Sequence, residues 1–409
     1  MYLTFAWRYF KAKKSANAIN IIAWVTAGVI AFACCCQVLV LSVFNGFEGL
    51  VKSLYASFYT DIKVVPATGK TITLTAAQLS QIQQQPFVQA FSLVAEEKAL
   101  LQNNEADGAQ TVIYLKGVDS NYANVSGVPS KITKGSFNTG TVDEPGIILG
   151  AGIQYAVGAN MNPAFATKTL TVILPKKNST GSDPLQSLTE GNASPAGVFV
   201  IQQDFDNKYA ITNLAFVKQQ LGLTADEYSG VELKLKDKTD AVAAREQLAA
   251  VLGSNYKVET LYQQNMGLYN TMRLEKWIIY AVFTLILIVS AFTMISALTM
   301  LVLEKQKDIS VLQSMGAHQS TIKKIFLSEG LLLGGIGAGA GIIAAVILCM
   351  LQLQFKLVKI GGGSFLIDYF PVKLLASDFL LVTATAGIIA FIAAWFPAHK
   401  ASKQAFELK

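Results

Sequence analysis

Histidine, cysteine and charged side chains are all scarce in this sequence. Its 409 residues include two histidines and four cysteines, and 15% are Asp, Glu, Lys or Arg, against about 25% in typical soluble domains. None of the histidines or cysteines falls in the long middle region, residues 46–275. That region therefore lacks the residues for Ser-His-Asp or Cys-His catalysis, for most zinc sites and for a disulfide framework.

A phosphate-binding loop is missing as well. No G-x-x-x-x-G-K-[ST] pattern occurs anywhere in the chain, so ATP hydrolysis at a P-loop is excluded. Acidic pairs such as Glu96-Glu97 and Asp143-Glu144 are typical of solvated loops. The sequence therefore predicts a protein that is not an enzyme by itself and binds no metal or cofactor.

The deficit of charge is concentrated in four apolar stretches that contain no Lys, Arg, Asp or Glu. They run from Ile19 to Val43, Trp277 to Leu303, Leu331 to Leu353 and Phe379 to Phe396. A helix needs about 20 mostly apolar residues to cross a bilayer, so all four are predicted to span. The first continues past Cys34 to Val43, which favours a membrane helix over a lipoprotein signal.

The distribution of Lys and Arg predicts the orientation, because these residues accumulate in cytoplasmic loops. With four spans, one side collects Arg8, Lys11, Lys13, Lys14, Lys305, Lys307, Lys323, Lys324, Lys400, Lys403 and Lys409. Both termini are then cytoplasmic, and residues 46–275 lie outside. Before the first span, aromatic and basic residues alternate from Tyr2 to Lys11, which is typical of an interfacial helix.

The middle region is predicted to be one large α+β domain, because strand-like and helix-like runs alternate irregularly. The strand-like runs are Ile62–Val65, Thr111–Val118, Leu170–Leu174, Val198–Ile201 and Val231–Leu235, and the helix-like runs are Ala76–Gln85, Asn213–Leu221 and Ala241–Leu252. Residues 178–196 are rich in Ser, Gly, Pro, Asn and Thr, which predicts a long loop. The predicted domains are therefore 1–45 (interfacial helix and first span), 46–275, and 276–409 (three spans).

Two further patterns lie in the last of these domains. Ile309, Leu312 and Met315 recur at helical spacing, so a short amphipathic helix is predicted over residues 304–315, with Gly316 as its stop. In the third span, three GxxxG spacings occur, at 330/334, 335/339 and 337/341. Small residues at this spacing let helices approach closely, either within the chain or between two protomers.

Four segments resemble one known family. They are Leu41–Glu48 (LSVFNGFE), Glu304–Ala317 (EKQKDISVLQSMGA), Ile325–Leu332 (IFLSEGLL) and Phe396–Ser402 (FPAHKAS). Together with the four-span layout, they are similar to permeases of the lipoprotein-releasing (Lol) system. The last three spans alone indicate only the broader type VII ABC permease class, which includes macrolide exporters and cell-division relatives. The stretch Asn45-Gly46-Phe47-Glu48 favours the lipoprotein-releasing branch.

The resemblance implies a permease of the bacterial inner membrane that extracts lipoproteins and passes them to a periplasmic (LolA-like) carrier. It implies a second permease protomer and two copies of a separate, LolD-like ATPase that uses ATP and Mg. The coupling helix that contacts this ATPase would include Glu304, Lys305, Asp308, Ile309, Leu312 and Met315. The paired first and second spans would enclose a cavity, near Val40, Leu41, Phe44 and Phe47, that takes the acyl chains. The segment 176–196 falls where one permease subtype carries a hook for the carrier.

Two other functions stay open at this point. One is export of a macrolide or peptide, although such pumps usually carry a fused ATPase. The other is a permease of the cell-division type that transports nothing and transmits movement to a cell-wall hydrolase. The size of residues 46–275 argues against the second.

Overall fold

The computed structural model describes residues 17–162, 164–176, 188–359 and 369–403. The predicted interfacial segment Tyr2–Lys11 lies outside these residues. Among them, the chain forms two compact units. One comprises the residues up to Leu50 together with those from Asn270 onward, and the other comprises Val51–Tyr269. The division falls inside two long helices, a few residues from the limits 46 and 275 that the sequence suggested.

The first unit is helical. Its elements are α1 (Asn17–Phe58, which continues into the second unit), α9 (Met266–Glu304), α10 (Gln306–Ser314), α11 (Gln319–Phe355) and α12 (Ala376–Ser402). Four of them, all except α10, are long and apolar enough to cross a membrane. Their interior is a single apolar cluster of mostly small side chains, which includes Ala33, Cys34, Ala345, Ala393 and Ala394. The four predicted spans are confirmed as helices.

The second unit is an α+β domain, as predicted. Its strands are β1 (Ile62–Pro66), β2 (Ile72–Thr73), β3 (Val88–Asn103), β4 (Ala109–Val118), β5 (Ile132–Gly135), β6 (Gly146–Gly150), β7 (Leu170–Pro175), β8 (Leu188–Phe199), β9 (Tyr209–Asn213), β10 (Glu227–Tyr228), β11 (Gly230–Leu235) and β12 (Tyr256–Thr260). Its helices are α2 (Ala76–Gln83), α3 (Tyr122–Val125), α4 (Ala151–Ala156), α5 (Gln203–Asp206), α6 (Leu214–Leu221), α7 (Ala241–Leu252) and α8 (Leu261–Gln264), with a short 3₁₀ turn at Val128–Lys131.

Ten of these strands form one sheet in the order β12-β1-β11-β3-β4-β9-β6-β8-β5, with β7 pairing to both β3 and β8. The pairings of β7 close β3, β4, β9, β6, β8 and β7 into a ring. Aliphatic side chains such as Leu101, Leu115 and Leu149 fill one core together with α4 and α6. The strands β1 and β11 pack on α2 and α7 around a second core. The long strand β3 therefore belongs to both halves of the domain.

One sequence prediction for this domain was wrong. Residues 188–196, taken as part of a loop, belong to β8, which pairs antiparallel with β7 from Leu170↔Ala193 to Pro175↔Leu188. The residues of β8 have low intrinsic strand preference, but hydrogen bonding to β7 and packing of Ala193 in the core outweigh that preference. The rest of the predicted loop, up to residue 187, lies outside the described residues.

Candidate functional site

The predicted coupling helix forms a short helix, α10 (Gln306–Ser314). It ends in a Schellman motif, because the amide of Ala317 donates to the carbonyl of Leu312 at 2.9 Å and that of Gly316 donates to Gln313 at 3.0 Å. Gly316 has a φ of +88°, a conformation that glycine adopts without strain. The prediction that Gly316 ends this helix is thus confirmed.

The apolar residues of α10 divide between two sides. Ile309 is buried, and it packs with Val302, Ile322 and Phe326 in a cluster at this end of the bundle. Leu312 is half-buried. Met315 is 79% exposed and Val311 is 57% exposed. The helix is therefore attached to its own chain by Ile309 and presents Val311 and Met315 outward.

The charged residues predicted on this helix lie at its start. Glu304 and Asp308 are exposed, and Lys305 pairs with Asp308 at 3.3 Å. Glu329, on α11, has only 4% of its surface exposed, and neither of its carboxylate oxygens has a hydrogen-bond partner. Together with Lys305 and Ile309 it lines a small cavity beneath α10. The free outward face and this buried carboxylate lie on opposite sides of the same short helix.

An apolar pocket of about 400 Å³ lies between α1, α11 and the residues that follow α11. Its lining is Leu39, Val40, Val43, Leu348, Cys349, Leu351, Gln352, Leu357, Val358, Phe370 and Val372. Gln352 supplies the polar side chain, and its amide is used internally. It donates to the carbonyls of Val358 at 3.0 Å and Phe370 at 3.2 Å, and it accepts from the amide of Val358 at 2.9 Å. The pocket therefore offers almost only hydrocarbon surface.

The four residues predicted to line an acyl-chain cavity lie in different surroundings. Val40 lines this pocket. Leu41 is fully buried in the interior of the helix bundle, and Phe44 is half-buried. Phe47 stacks edge-on against Phe370, with the ring centroids 5.6 Å apart. Val40 and Phe47 are thus brought to the pocket or to its wall, whereas Leu41 packs elsewhere.

A polar cluster ties three helices together beside this pocket. Lys276 of α9 donates to Asp378 of α12 at 3.1 and 3.3 Å and to the side-chain oxygen of Asn45 of α1 at 2.9 Å. The amide group of Asn45 donates to Asp378 at 2.6 Å. Asp378 is 5% exposed and Asn45 is 2% exposed. We call Asn45, Lys276 and Asp378 the clamp.

The residues Tyr369–Lys373, which we call the strap, lie against α1 next to the clamp. The backbone amide of Lys373 donates to the carbonyl of Ser42 at 2.9 Å, and the amide group of Asn45 reaches the carbonyl of Lys373 at 3.4 Å. A β-carbon on Gly46 would lie 2.2 Å from the carbonyl oxygen of Pro371. Only glycine at this position allows the strap to approach α1 so closely.

The glycines of α11 have different neighbours. A β-carbon on Gly334 would lie 2.6 Å from the side chain of Ala390 on α12, and one on Gly341 would lie 2.2 Å from the carbonyl oxygen of Ala31 on α1. A β-carbon on Gly330 would meet α12 and α9, and one on Gly337 would meet α1. At Gly335 and Gly339, no described residue outside α11 lies within 4 Å of the β-position. Two of the three GxxxG pairs therefore serve packing within the chain, and the third faces outward.

The α+β domain contains a second buried charge cluster. Lys116 donates to both carboxylate oxygens of Glu232, at 2.7 and 2.9 Å, and its ammonium group lies 5.0 Å from the ring centroid of Phe58. Lys63 lies 3.6 Å from Glu232. Burial alone would raise the pKa of Glu232, but Lys116 and Lys63 hold it below its usual value. Glu232 therefore stays ionised inside the domain.

Sequence reasoning missed Lys276, Asp378 and Glu329. Lys276 and Asp378 each directly precede a predicted apolar stretch, and Glu329 lies two residues before another. From the sequence, all three therefore mark only the boundary of a span. The available signal was that Lys276 and Asp378 have opposite charges and precede spans that start on the same side. In the described part of the chain, no group of three or more His, Cys, Asp or Glu residues could hold a metal ion.

Comparisons with known proteins extend over nearly the whole chain. Residues 23–251 match the MacB-like periplasmic core domain and residues 280–406 match the FtsX-like permease C-terminal domain. The chain is 28% identical over 420 residues to the lipoprotein-releasing system transmembrane protein LolC of Neisseria meningitidis serogroup B, which covers 97% of this chain and 95% of that protein.

One further relative and one solved structure also match this chain. The lipoprotein-releasing system transmembrane protein LolE of Haemophilus influenzae is 26% identical over 417 residues, or 97% of this chain and 96% of that protein. Among solved structures, the periplasmic region of MacB from Actinobacillus actinomycetemcomitans covers 53% of this chain and 95% of that one, with 15% identity and a TM-score of 0.37. The expected resemblance to the lipoprotein-releasing permeases is confirmed.

Proposed function

We propose that this chain, which belongs to the MacB-like periplasmic core domain family and ends in an FtsX-like permease domain, extracts lipoproteins from the membrane. It is a multi-pass permease of an ABC transporter, with a periplasmic α+β domain between its first and second membrane helices. We propose that it transports lipoproteins. It takes them from the outer leaflet of a bacterial inner membrane and passes them to a periplasmic carrier.

The observation that carries the proposal is the apolar pocket. Its volume of about 400 Å³ falls in the range of small-molecule sites, which is roughly 300–1,000 Å³. Its lining offers aliphatic and aromatic carbon, and the polar groups of Gln352 are already hydrogen-bonded. Such a pocket suits a hydrocarbon chain, since burying apolar surface needs no polar partner. A macrolide carries many hydroxyl and ether oxygens that would find no partner here.

Extraction of an acylated protein needs an external source of energy. Each CH₂ group that leaves the bilayer costs about 0.8 kcal/mol, so removing several acyl chains costs on the order of tens of kcal/mol. An apolar pocket offsets part of this cost. The remainder must come from ATP, and this chain has no P-loop. We therefore infer that a separate ATPase, in two copies, supplies it.

The outward side of α10 is the proposed contact with that ATPase. Val311 and Met315 are exposed, while Ile309 attaches the helix to α11. An exposed apolar pair on a charged helix fits a groove of a partner protein, and a push on this helix passes through Ile309 to the base of α11. Orientation follows from this assignment: α10 and both termini lie in the cytoplasm.

A second permease protomer is also part of the proposal. Gly335 and Gly339 leave a short stretch of α11 without side chains, and no described residue outside α11 lies within 4 Å of their β-positions. Close approach of helices at such pairs is common in membranes. This side of α11 therefore stays the candidate for contact between protomers, whether the second is a copy or a paralogue.

The test is purification of the full chain in mild detergent, followed by mass spectrometry of the co-purifying proteins and lipids. We expect an ABC ATPase on a separate chain and triacylated lipoproteins. Met315→Glu should reduce the recovered ATPase by about tenfold, since it places a charge on the proposed contact. Met266→Glu is the matched control, because Met266 is also exposed (46%) but lies far along the chain from α10.

Other partners would support other functions. Recovery of a cell-wall hydrolase with the ATPase would contradict lipoprotein extraction and support the cell-division type of permease. Recovery of an outer-membrane channel and an adaptor would support export of a small molecule. An equal loss of ATPase in the Met315 and Met266 variants would contradict the assignment of α10.

A further inference from the structure

The clamp and the apolar pocket share one structural element, the strap. Phe370 and Val372 of the strap line the pocket. The amide of Lys373, the next residue, donates to Ser42 of α1. The other end of the strap is fastened to the residues that follow α11, because the amide of Phe370 donates to the carbonyl of Val358 at 3.1 Å. The wall of the pocket is thus a short, non-helical segment held at both ends.

The clamp uses nearly all of its hydrogen-bonding groups on itself and on the strap. The side-chain oxygen of Asn45 accepts from Lys276, and its amide group donates to Asp378 and to the carbonyl of Lys373. Lys276 reaches both carboxylate oxygens of Asp378. Because Asn45 is both donor and acceptor, it links the ion pair to the strap. Loss of one member leaves the others buried without their partners.

We propose that Asn45, Lys276 and Asp378 are positioning residues that hold the strap against α1 and so maintain the wall of the acyl-chain pocket. The identity of the ligand rests on the proposed function, whereas the role of the clamp rests on the contacts alone. Among the described residues, no backbone hydrogen bond joins α1, α9 or α12 to another of these helices. Beside the pocket, the side chains of the clamp therefore join the three helices by hydrogen bonds, in addition to the apolar packing of the bundle interior.

The clamp acts on the local geometry rather than on overall stability. A buried ion pair contributes little net stability, because desolvation offsets most of the attraction, but it does restrict the arrangement of its surroundings. Ionisable groups buried inside membrane helices are expensive and usually functional, and Asp378 is buried within the bundle. A purely structural role would be served as well by apolar packing. The combination of a charged pair, an amide bridge and a strap with a required glycine indicates that this wall has to lie in one position.

The native cysteines provide the test. Cys349 lines the pocket, and Cys34 lies in the interior of the bundle with none of its surface exposed. The full chain in lipid nanodiscs is treated with a small membrane-permeant maleimide, and modification of each cysteine is followed by peptide mass spectrometry. In Asp378→Asn and Lys276→Met, we expect Cys349 to react at least about tenfold faster, the factor for about 1.4 kcal/mol. The rate at Cys34 should not change.

Exchanging the charges gives a second, independent readout. Asn45 can turn its amide group over and still bridge a reversed pair. The double variant Lys276→Glu/Asp378→Lys should therefore return the Cys349 rate toward that of the wild type, within about threefold, whereas each single variant should not. Equal acceleration at Cys34 and Cys349 would overturn the proposal, because it would mean that the whole bundle has loosened. Unchanged Cys349 rates in both single variants would overturn it as well.

A synthetic triacylated lipopeptide separates this inference from the proposed function. Protection of Cys349 by the lipopeptide in the wild type, together with faster labelling in the variants, supports both. Faster labelling in the variants without protection by the lipopeptide supports the clamp and contradicts the acyl-chain assignment. Protection in the wild type with unchanged rates in the variants supports the acyl-chain site and overturns the clamp.

Discussion

Each of the two units holds a buried carboxylate against a lysine, but the surroundings of the two pairs differ. In the α+β domain, Lys116 and Glu232 belong to β4 and β11 of one sheet, separated by β3. Backbone hydrogen bonds between the strands already fix where both residues lie. In the helical unit, Lys276 and Asp378 belong to separate helices, and their side chains together with Asn45 form the connection.

This difference shows what each pair can do. The Lys116–Glu232 pair is 2–3% exposed, and it fills a site that the sheet has already shaped. Removing one partner should lower the stability of the domain without moving its parts, because it leaves the other charge buried. The Lys276 side chain keeps 27% of its surface exposed, and its pair lies beside the strap. Removing Lys276 should change the position of the strap and cost the bundle less stability than the loss of Lys116 costs the domain.

Breaking the Lys116–Glu232 pair in the sheet should change stability the most. Lys116→Met leaves Glu232 buried with only Lys63 nearby, so we expect the free energy of unfolding of the domain to fall by about 3–5 kcal/mol. Hydrogen exchange of the β4 and β11 amides, measured by mass spectrometry on the full chain, reports this value. Lys63→Met is the matched control and should have a smaller effect, since Lys63 is 19% exposed. A larger loss in Lys63→Met would contradict the account.

Asp206, in the same domain as Glu232, is a buried carboxylate whose pKa is not lowered by a nearby lysine. Burial raises the pKa of Asp206 from 3.8 to about 6, although the backbone amides of Ile201 and Gln202 oppose the shift. Because the folded pKa is the higher one, this contribution to stability is complete below about pH 4 and is lost as the pH rises through 6. A shift of about two units corresponds to at most about 3 kcal/mol at pH 7.

Asp206→Asn keeps an acceptor for Ile201 and removes the charge. The variant should be more stable than the wild type at pH 7 and equal to it at pH 4, as judged by the same exchange measurement at both pH values. Glu232 has the opposite sign, since its lowered pKa stabilises the domain above about pH 4.5 and that contribution is lost on acidification. A stability difference between Asp206→Asn and wild type that does not depend on pH would disprove this reading.

Substitution of the glycines that let the helices of the bundle pack closely should change stability the least. Gly341→Ala places a β-carbon against the backbone of α1, so it should lower the stability of the bundle by about 1–3 kcal/mol. Gly339→Ala is the matched control, because its β-position has nothing within 4 Å. Tryptophan fluorescence during thermal unfolding reports the bundle through Trp24, Trp277 and Trp395. A larger loss in Gly339→Ala would instead indicate a contact between protomers on that side of α11.

Much of the architecture could be predicted because its signals are local. Each membrane helix is an uninterrupted apolar stretch, and Gly316 marks the end of α10 by a conformation that belongs to one residue. Strands with alternating apolar and charged residues, such as Val231–Leu235, were also predicted. The strand β8 was not, because its residues favour a loop and only its pairing with β7 makes it a strand.

The site was less accessible to sequence reasoning, because its residues meet only after folding. Asn45 and Asp378 are 333 positions apart in the chain, and nothing local to either of them indicates the other. Val40 and Leu41 are equally apolar neighbours, but successive side chains on a helix point about 100° apart. One therefore lines the pocket while the other packs in the bundle. A sequence can identify the apolar helix without showing which of its sides faces a cavity.

The most direct test of the account places a photoreactive phenylalanine analogue in the wall of the pocket. The analogue replaces Val372, and the full chain is illuminated in nanodiscs with a triacylated lipoprotein. Leu380, which is 73% exposed on α12 and does not line the pocket, is the matched control position. We expect crosslinks to the acyl chains of the lipoprotein from position 372 that greatly exceed those from position 380. Equal crosslinking at the two positions would contradict the claim that this pocket holds the acyl chain.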